Sequence, residues 1–247
     1  MFVAASSRCF SDKPFEEALR QIMDLEYDKV EIWMSEESDH LKPSVVVADP
    51  EKFFATYREV TRLSPIAFCF GSEVTPKQFE VFCKLAKQMR ITQITVPASP
   101  LGTPFNAEID RLKELLVISS QDGIRLSIPT RTGDLTEDPR TAVELCQATP
   151  GLGLTLDPSY YLCGPHRAAG FDQVYPYTFH THLRDTSETQ IQVKVGLGEV
   201  DYSRLISQLN RSRYARALSV DLFPELIEGD QRPIEMRKLR LLLESLL

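Results

Sequence analysis

Several features that would announce a specialised protein are missing from this sequence. No apolar run approaches the roughly 20 residues that span a bilayer, so no membrane role is expected. The opening MFVAASSRCFSDK lacks a basic start followed by a long apolar stretch. No secretory signal is therefore expected, and the expected location is cytoplasmic. Cysteine is scarce: five residues (Cys9, Cys69, Cys83, Cys146 and Cys163), widely spread, with no C-x-x-C pair. That pattern argues for buried, reduced thiols rather than a disulfide framework or a zinc knuckle. Positive charge is in deficit, with 28 Lys and Arg against 35 Asp and Glu, a net −7. An acidic chain is a poor partner for nucleic acid, so none is expected. No glycine-rich turn follows the first strand-like run, which leads into Ser6-Ser7-Arg8-Cys9. This removes the usual phosphate loop of an open, doubly wound sheet. Gly151-Leu152-Gly153 enters a strand-like run instead of leaving one.

What is present is an ordinary core-forming composition, 43% hydrophobic and 26% charged, arranged in two alternating textures. Short β-branched or apolar runs cover residues 2–6, 29–33, 65–70, 91–97, 124–128, 152–157, 177–184 and 216–222. Between them lie stretches of helical period, such as Phe15/Leu19/Ile22/Met23 and Phe79/Phe82/Ala86/Met89. Helix starts are well marked. Thr75-Pro76-Lys77-Gln78 combines a capping hydroxyl, proline at the first helical position and glutamine three residues after the cap. Asp49-Pro50 and Asp138-Pro139 repeat the cap-then-proline signal. The connection 159–176 carries Gly164-Pro165 and Gly170, so its helix is expected to be short or irregular. Eight strand–helix units in about 250 residues predict one closed (β/α)₈ barrel. No linker or low-complexity tract divides the chain, so residues 1–247 are expected to form a single domain.

In such a barrel the chemistry gathers at the C-terminal ends of the strands. Strand period two puts His180, His182 and Arg184 on one face, pointing inward, with His182 above His180. Asp157 and Asp221 end otherwise apolar runs, where an unpaired carboxylate is costly. Asp157, His182 and Asp221 are therefore expected to converge. A carboxylate–imidazole–carboxylate set suits Mg²⁺ or Mn²⁺, and Zn²⁺ is compatible. Asp157 precedes Pro158 and could instead cap the next turn. Arg131 and Arg184 could hold a phosphate or carboxylate, or pair with a strand-end Asp. Glu31 could orient substrate or make a structural hydrogen bond, and Tyr160 could line a sugar pocket or simply pack. The long loops 34–47 and 185–200 could cover the site, with 190–195 as a small hairpin. His40 and His166 are expected to face solvent.

These residues carry a resemblance. Val30-Glu31-Ile32-Trp33, Gly123–Ile128, Gly153–Asp157, His182-Leu183-Arg184-Asp185, Gly196–Asp201 and Leu218–Asp221 resemble, in order, segments of the xylose isomerase-like barrels. That superfamily contains sugar phosphate isomerases and epimerases, and also the endonuclease IV-type enzymes. The resemblance implies one divalent metal held by Glu on strand five, Asp on strand six, His on strand seven and Glu on strand eight. Two of these carboxylates exchange the substrate proton from opposite faces.

Asp157 and His182 match that pattern, and Asp221 stands where Glu is usual. Pro129 stands where the strand-five Glu is expected, and Tyr160 where a His often follows. The resemblance thus implies Asp157, His182 and Asp221 as metal ligands, with the ion (Mn, Mg or Zn) weakly held. It also implies Asp157 and Asp221 as catalytic carboxylates, and Glu31, Arg131, Tyr160, Arg184 and Asp185 as substrate-binding residues. The function expected is metal-assisted isomerisation or epimerisation of a small sugar or sugar phosphate. The alternative is a barrel that binds a polyol or organic acid without turnover. An endonuclease IV-type phosphodiesterase needs a cluster of metals with many His and Glu ligands. Four histidines and the net −7 argue against it.

Overall fold

A computed structural model describes residues 1–247. Eight strands close into a barrel in chain order: β1 (Phe2–Ser6), β2 (Lys29–Met34), β3 (Ser64–Phe70), β4 (Gln93–Thr95), β5 (Arg125–Pro129), β6 (Leu152–Leu156), β7 (Thr178–Leu183) and β8 (Ala217–Val220). All neighbours are parallel, and β8 returns to pair with β1 through Phe2↔Ala217 to Ala5↔Val220. The fold is a (β/α)₈ barrel. β4 is shorter than the run 91–97. Val96 N–H still donates to Ser127 O, but Pro97 has no N–H to continue the ladder. The β2–β3 register slips between Val30↔Pro65 and Glu31↔Ala67, again beside a proline. A second slip, between Leu154↔Thr178 and Thr155↔His180, sets the height of the two strand-seven histidines.

Capping residues start the outer helices where the sequence marks them. Asp49 accepts from Lys52 N–H at the head of Pro50–Val60, and Thr75 and Gln78 form a reciprocal capping box on Pro76–Gln88. Asp138 accepts from Arg140 N–H to start Pro139–Ala148. The long segment 34–47 is not wholly a loop: it runs into a short helix, Pro43–Ala48, with proline at its start. The connection after β6 is irregular, with the helix Pro158–Cys163 followed by the 3-10 segments Arg167–Ala169 and Asp172–Tyr177.

Residues 190–195 form no hairpin, contrary to their alternating pattern. Their polar groups are taken by other parts of the fold. The Gln192 side chain bonds both backbone groups of Phe223, and Val195 N–H donates to Glu235.

The apolar core lies between sheet and helices, where Leu19, Ile22, Phe79, Phe82, Leu112, Leu145, Leu209, Met236 and Leu239 are buried. Close strand–strand packing is visible at Gly153, where an added Cβ would lie 2.1 Å from the Phe179 ring. The barrel interior, by contrast, is polar. Thr95, Ser127 and Thr155 form a triangle of hydroxyls at 2.7–3.1 Å, and Gln93 donates to Ser127. Buried polar groups need partners, and this network supplies one to each of the three hydroxyls and to the Gln93 amide nitrogen, leaving Gln93 Oε1 unpaired. Above it, at the C-terminal ends of the strands, the charged side chains gather.

Candidate functional site

Two buried charge clusters meet at the mouth of the barrel. The first is centred on Arg184, just beyond β7, whose side chain is fully enclosed. Its Nη1 lies 2.6 Å from Asp157 Oδ2, and its Nη2 lies 2.6 Å from Asp221 Oδ2. Nε donates to the Asp221 backbone carbonyl at 2.8 Å. The guanidinium face stacks on Phe223, with Cζ 3.7 Å from the ring centre, and the Tyr160 ring lies 5.9 Å away. Arg8 adds a second positive charge, with Nη1 3.7 Å from Asp221 Oδ2. Asp157 Oδ1 caps the following helix through Ser159 N–H. Asp221 Oδ1 has neither a hydrogen-bond nor an ion-pair partner, while Asp157 Oδ2 meets Arg184 Nη1 as an ion pair without hydrogen-bond geometry.

The second cluster is centred on Glu31 in β2. Ser6 donates to its Oε1 at 2.7 Å, while the Nε2 atoms of His180 and His182 both reach Oε2, the latter at 2.8 Å. The other ring nitrogen of His182, Nδ1, is 3.6 Å from Asp221 Oδ2 and links the clusters. Burial opposes charge on every member. For Glu31 the two imidazoles outweigh burial and hold the carboxyl well below its ordinary range. For His182 burial is outweighed by Glu31 and Asp221, and the imidazole is held well above its ordinary value. For His180 burial prevails and its pKa falls. Ionised Glu31 and protonated His182 thus form an ion pair, with neutral His180 beneath. Cys69 in β3 completes this corner. Its thiol, pushed up to about 11 mainly by burial, brings Sγ, Glu31 and His182 within 4.8 Å of one another.

A cavity of about 320 Å³ opens above these clusters. Arg8, Arg131, Asp157, Tyr160 and His182 line it, with Trp33 and Phe70 as an apolar wall and Ser35, Ser38 and Thr130 as hydroxyls. His182 therefore faces the cavity and His180 lies below. The other residues singled out from the sequence are placed as follows. Arg131 is exposed at the rim, and Tyr160 is partly buried. Pro129 faces the cavity with no carboxylate to offer. Glu31 is fully buried beneath it and spends both oxygens on Ser6 and the histidines. Asp221 lies behind Arg184.

Asp185 does not line the cavity. Its Oδ2 accepts from Gly196 and Gly198 N–H at 2.8 and 3.0 Å, which folds the 185–200 loop back on itself. His40 is buried, not solvent-facing. Nδ1 bonds Lys13 O, Nε2 bonds Ser7 Oγ, and Phe15 and Trp33 flank its ring. His166 lies beside Glu137, with its side chain 39% accessible.

A model of the family described as xylose isomerase-like TIM barrel matches residues 68–242. The chain belongs to the xylose isomerase-like TIM barrel family. No curated protein sequence matches it. Among solved barrels, a xylose isomerase-like TIM barrel protein from Mycobacterium smegmatis, solved in complex with magnesium, superposes with a TM-score of 0.75 at 17% identity. That alignment covers 99% of this chain and 97% of the other. A probable 3-DHS dehydratase from Bacillus anthracis aligns at 0.73 and 14% identity, covering 99% of each chain. A D-allulose 3-epimerase from Methylomonas sp., in complex with D-allulose, aligns at 0.70 and 10% identity, covering 99% and 96%. At these identities the likeness is one of fold.

Arg8, Trp33, Cys69 and Phe223 join the site without having been singled out from the sequence. Arg8 lies two residues past the end of β1 and Cys69 near the end of β3. The strand-end rule that points to Asp157 and Asp221 points equally to them. Phe223 gives no such signal, because an aromatic after a strand usually means packing.

Proposed function

We propose that the chain binds a small sugar-like molecule carrying an anionic group, a sugar phosphate or sugar acid. In this reading it interconverts isomers or epimers by proton transfer at a carbon beside a carbonyl. The observation that supports this is the make-up of the cavity. Arg8 and Arg131 suit a phosphate or carboxylate, Ser35, Ser38, Thr130 and Tyr160 suit hydroxyls, and Trp33 and Phe70 suit the apolar face of a sugar. In this reading the proton-transfer groups are His182 and Asp157, which line the cavity, and each exchanges its present contact with Glu31 or Arg184 for the substrate. Asp221 does not line the cavity and acts by positioning Arg184 and His182.

A second reading, binding without turnover, is favoured by a different observation. Both strand-end carboxylates are tied to Arg184, and Asp157, the one that lines the cavity, has its other oxygen on Ser159 N–H, so neither of its oxygens is turned to a substrate.

Incubation of the protein with a panel of pentose and hexose phosphates and sugar acids in D₂O, followed by NMR, separates the two. Deuterium entering beside the carbonyl, lost in His182→Gln and Asp157→Asn, supports the isomerase reading. Calorimetric binding without exchange supports the second. Neither binding nor exchange overturns both.

A further inference from the structure

We infer that Arg184 supplies the fixed positive charge of this site, in the place where the family resemblance implies a divalent ion. Asp157 and Asp221 are two of the three residues that would hold such an ion. Their oxygens already meet the guanidinium at 2.6 Å each. A divalent ion must approach its ligand oxygens to about 2.0–2.6 Å, which places it inside the volume of the Arg184 nitrogens. The guanidinium has no free path out. Nε is bonded to the Asp221 carbonyl, Phe223 stacks on it, and the whole side chain is enclosed.

The local charges also close without an ion. Two carboxylates, Asp157 and Asp221, face two guanidinium groups, Arg184 and Arg8. A divalent ion added there would sit beside an unscreened cation with no net negative charge to hold it. Pro129 removes the strand-five carboxylate that could have tipped the balance. The one open oxygen, Asp221 Oδ1, is a single ligand where such ions take several.

The neighbouring trio of Glu31, Cys69 and His182 is the other place to look for a metal. Its donors are engaged as well. Glu31 Oε2 receives both imidazoles, and the Nε2 of His182 that would bind the ion points at that oxygen. The residues present therefore do not fit a divalent ion at either position. The guanidinium carries a single, permanent charge in a planar fork that holds both carboxylates at once. It has no open coordination position for substrate, so it polarises a bound oxygen only at a distance, through the cavity wall.

The inference concerns the cation alone, so its test needs no substrate. Mn²⁺ binding is read from the loss of the free-ion paramagnetic resonance signal, and thermal melting is followed with and without Mn²⁺. The wild-type protein is expected to bind no Mn²⁺ up to millimolar concentration, and its melting temperature is expected not to move. Arg184→Ala, which frees the Asp157 and Asp221 oxygens it holds, is expected to bind at least tenfold more tightly than wild type and to melt higher with Mn²⁺. Pro129→Glu/Arg184→Ala should bind more tightly again.

If Arg184→Ala folds poorly by itself, low millimolar guanidinium and Mn²⁺ should each restore the fold, and they should compete. Arg184→Lys, which keeps one charge in the hole, should fold and still exclude Mn²⁺. One equivalent of metal in the wild-type protein overturns the inference, whether it is lost on Asp157→Asn or on Cys69→Ala. So does an Arg184→Ala variant that is folded and binds Mn²⁺ no better than wild type.

Discussion

Arg184 Nη2 lies 2.6 Å from Asp221 Oδ2, and neither side chain is accessible to solvent. Breaking such a buried pair leaves a charge with no water to turn to, which typically costs about 3–5 kcal/mol. Asp221→Ala removes one of the two carboxylates on Arg184 and is expected to lower unfolding free energy by that order in urea denaturation. The exposed pair Lys84–Glu80, with side chains 63% and 50% accessible, is the control. Glu80→Ala should change stability far less, since screened helix-surface pairs at this spacing contribute little. Equal effects at the two sites would mean that the Arg184 cluster is open to water.

A second expectation concerns pH. The His182 imidazole, held above its ordinary 6.5 by Glu31 and Asp221 against the opposing effect of burial, contributes stability that is fully present below 6.5. That contribution is lost as pH rises toward the raised folded-state value. Glu31, held below its ordinary 4.5, contributes stability present above 4.5 and lost as pH falls toward its lowered value. His180 and His40 shift downward, so they act only below 6.5. Wild-type stability is therefore expected to fall as pH is raised above 6.5, and His182→Gln should flatten that slope. Chemical denaturation from pH 6 to pH 9 reads it. Identical slopes in the two proteins would remove the ion pair from the account.

Asp185 predicts a local effect. Its carboxylate collects the N–H groups of Thr186, Gly196 and Gly198, and a Cβ on Gly198 would lie 2.0 Å from Asp185 Oδ1. Asp185→Ala should leave those donors without partners, costing about 1–3 kcal/mol, and free the loop 186–200. Hydrogen exchange is expected to rise in that loop and not in β1 to β6. Gly198→Ala should produce the same pattern through steric displacement. Uniform exchange across the barrel would mean that Asp185 supports the whole fold.

Much of the architecture is legible because one signal repeats. Apolar runs separated by stretches of helical period mark all eight strands, and Asp49, Thr75 and Asp138 cap the helices they are expected to cap. The short helix Pro43–Ala48 escapes a reading by period because six residues show barely more than one turn, although Lys42-Pro43 marks its start. At the site, strand period two places His180, His182 and Arg184 on one inward face. It does not say whether the cation between Asp157 and Asp221 is an ion or a side chain, because both satisfy the same two charges. His40 departs from expectation for a related reason. A loop histidine goes to solvent unless partners await it, and Lys13 O, Ser7 and the Phe15 ring are contributed from distant parts of the chain.

The central claim, a cavity built for an anionic sugar-like molecule, is tested most directly by calorimetry. Wild type and Arg131→Ala are titrated with ketose phosphates and with the same ketoses lacking phosphate. A charge-assisted contact to one guanidinium contributes about 1.5–3 kcal/mol. At least one phosphorylated ketose is therefore expected to bind wild type about tenfold or more tightly than its neutral counterpart, and Arg131→Ala should lose most of that preference. Equal binding of neutral and phosphorylated sugars, or a preference untouched by Arg131→Ala, would contradict the account.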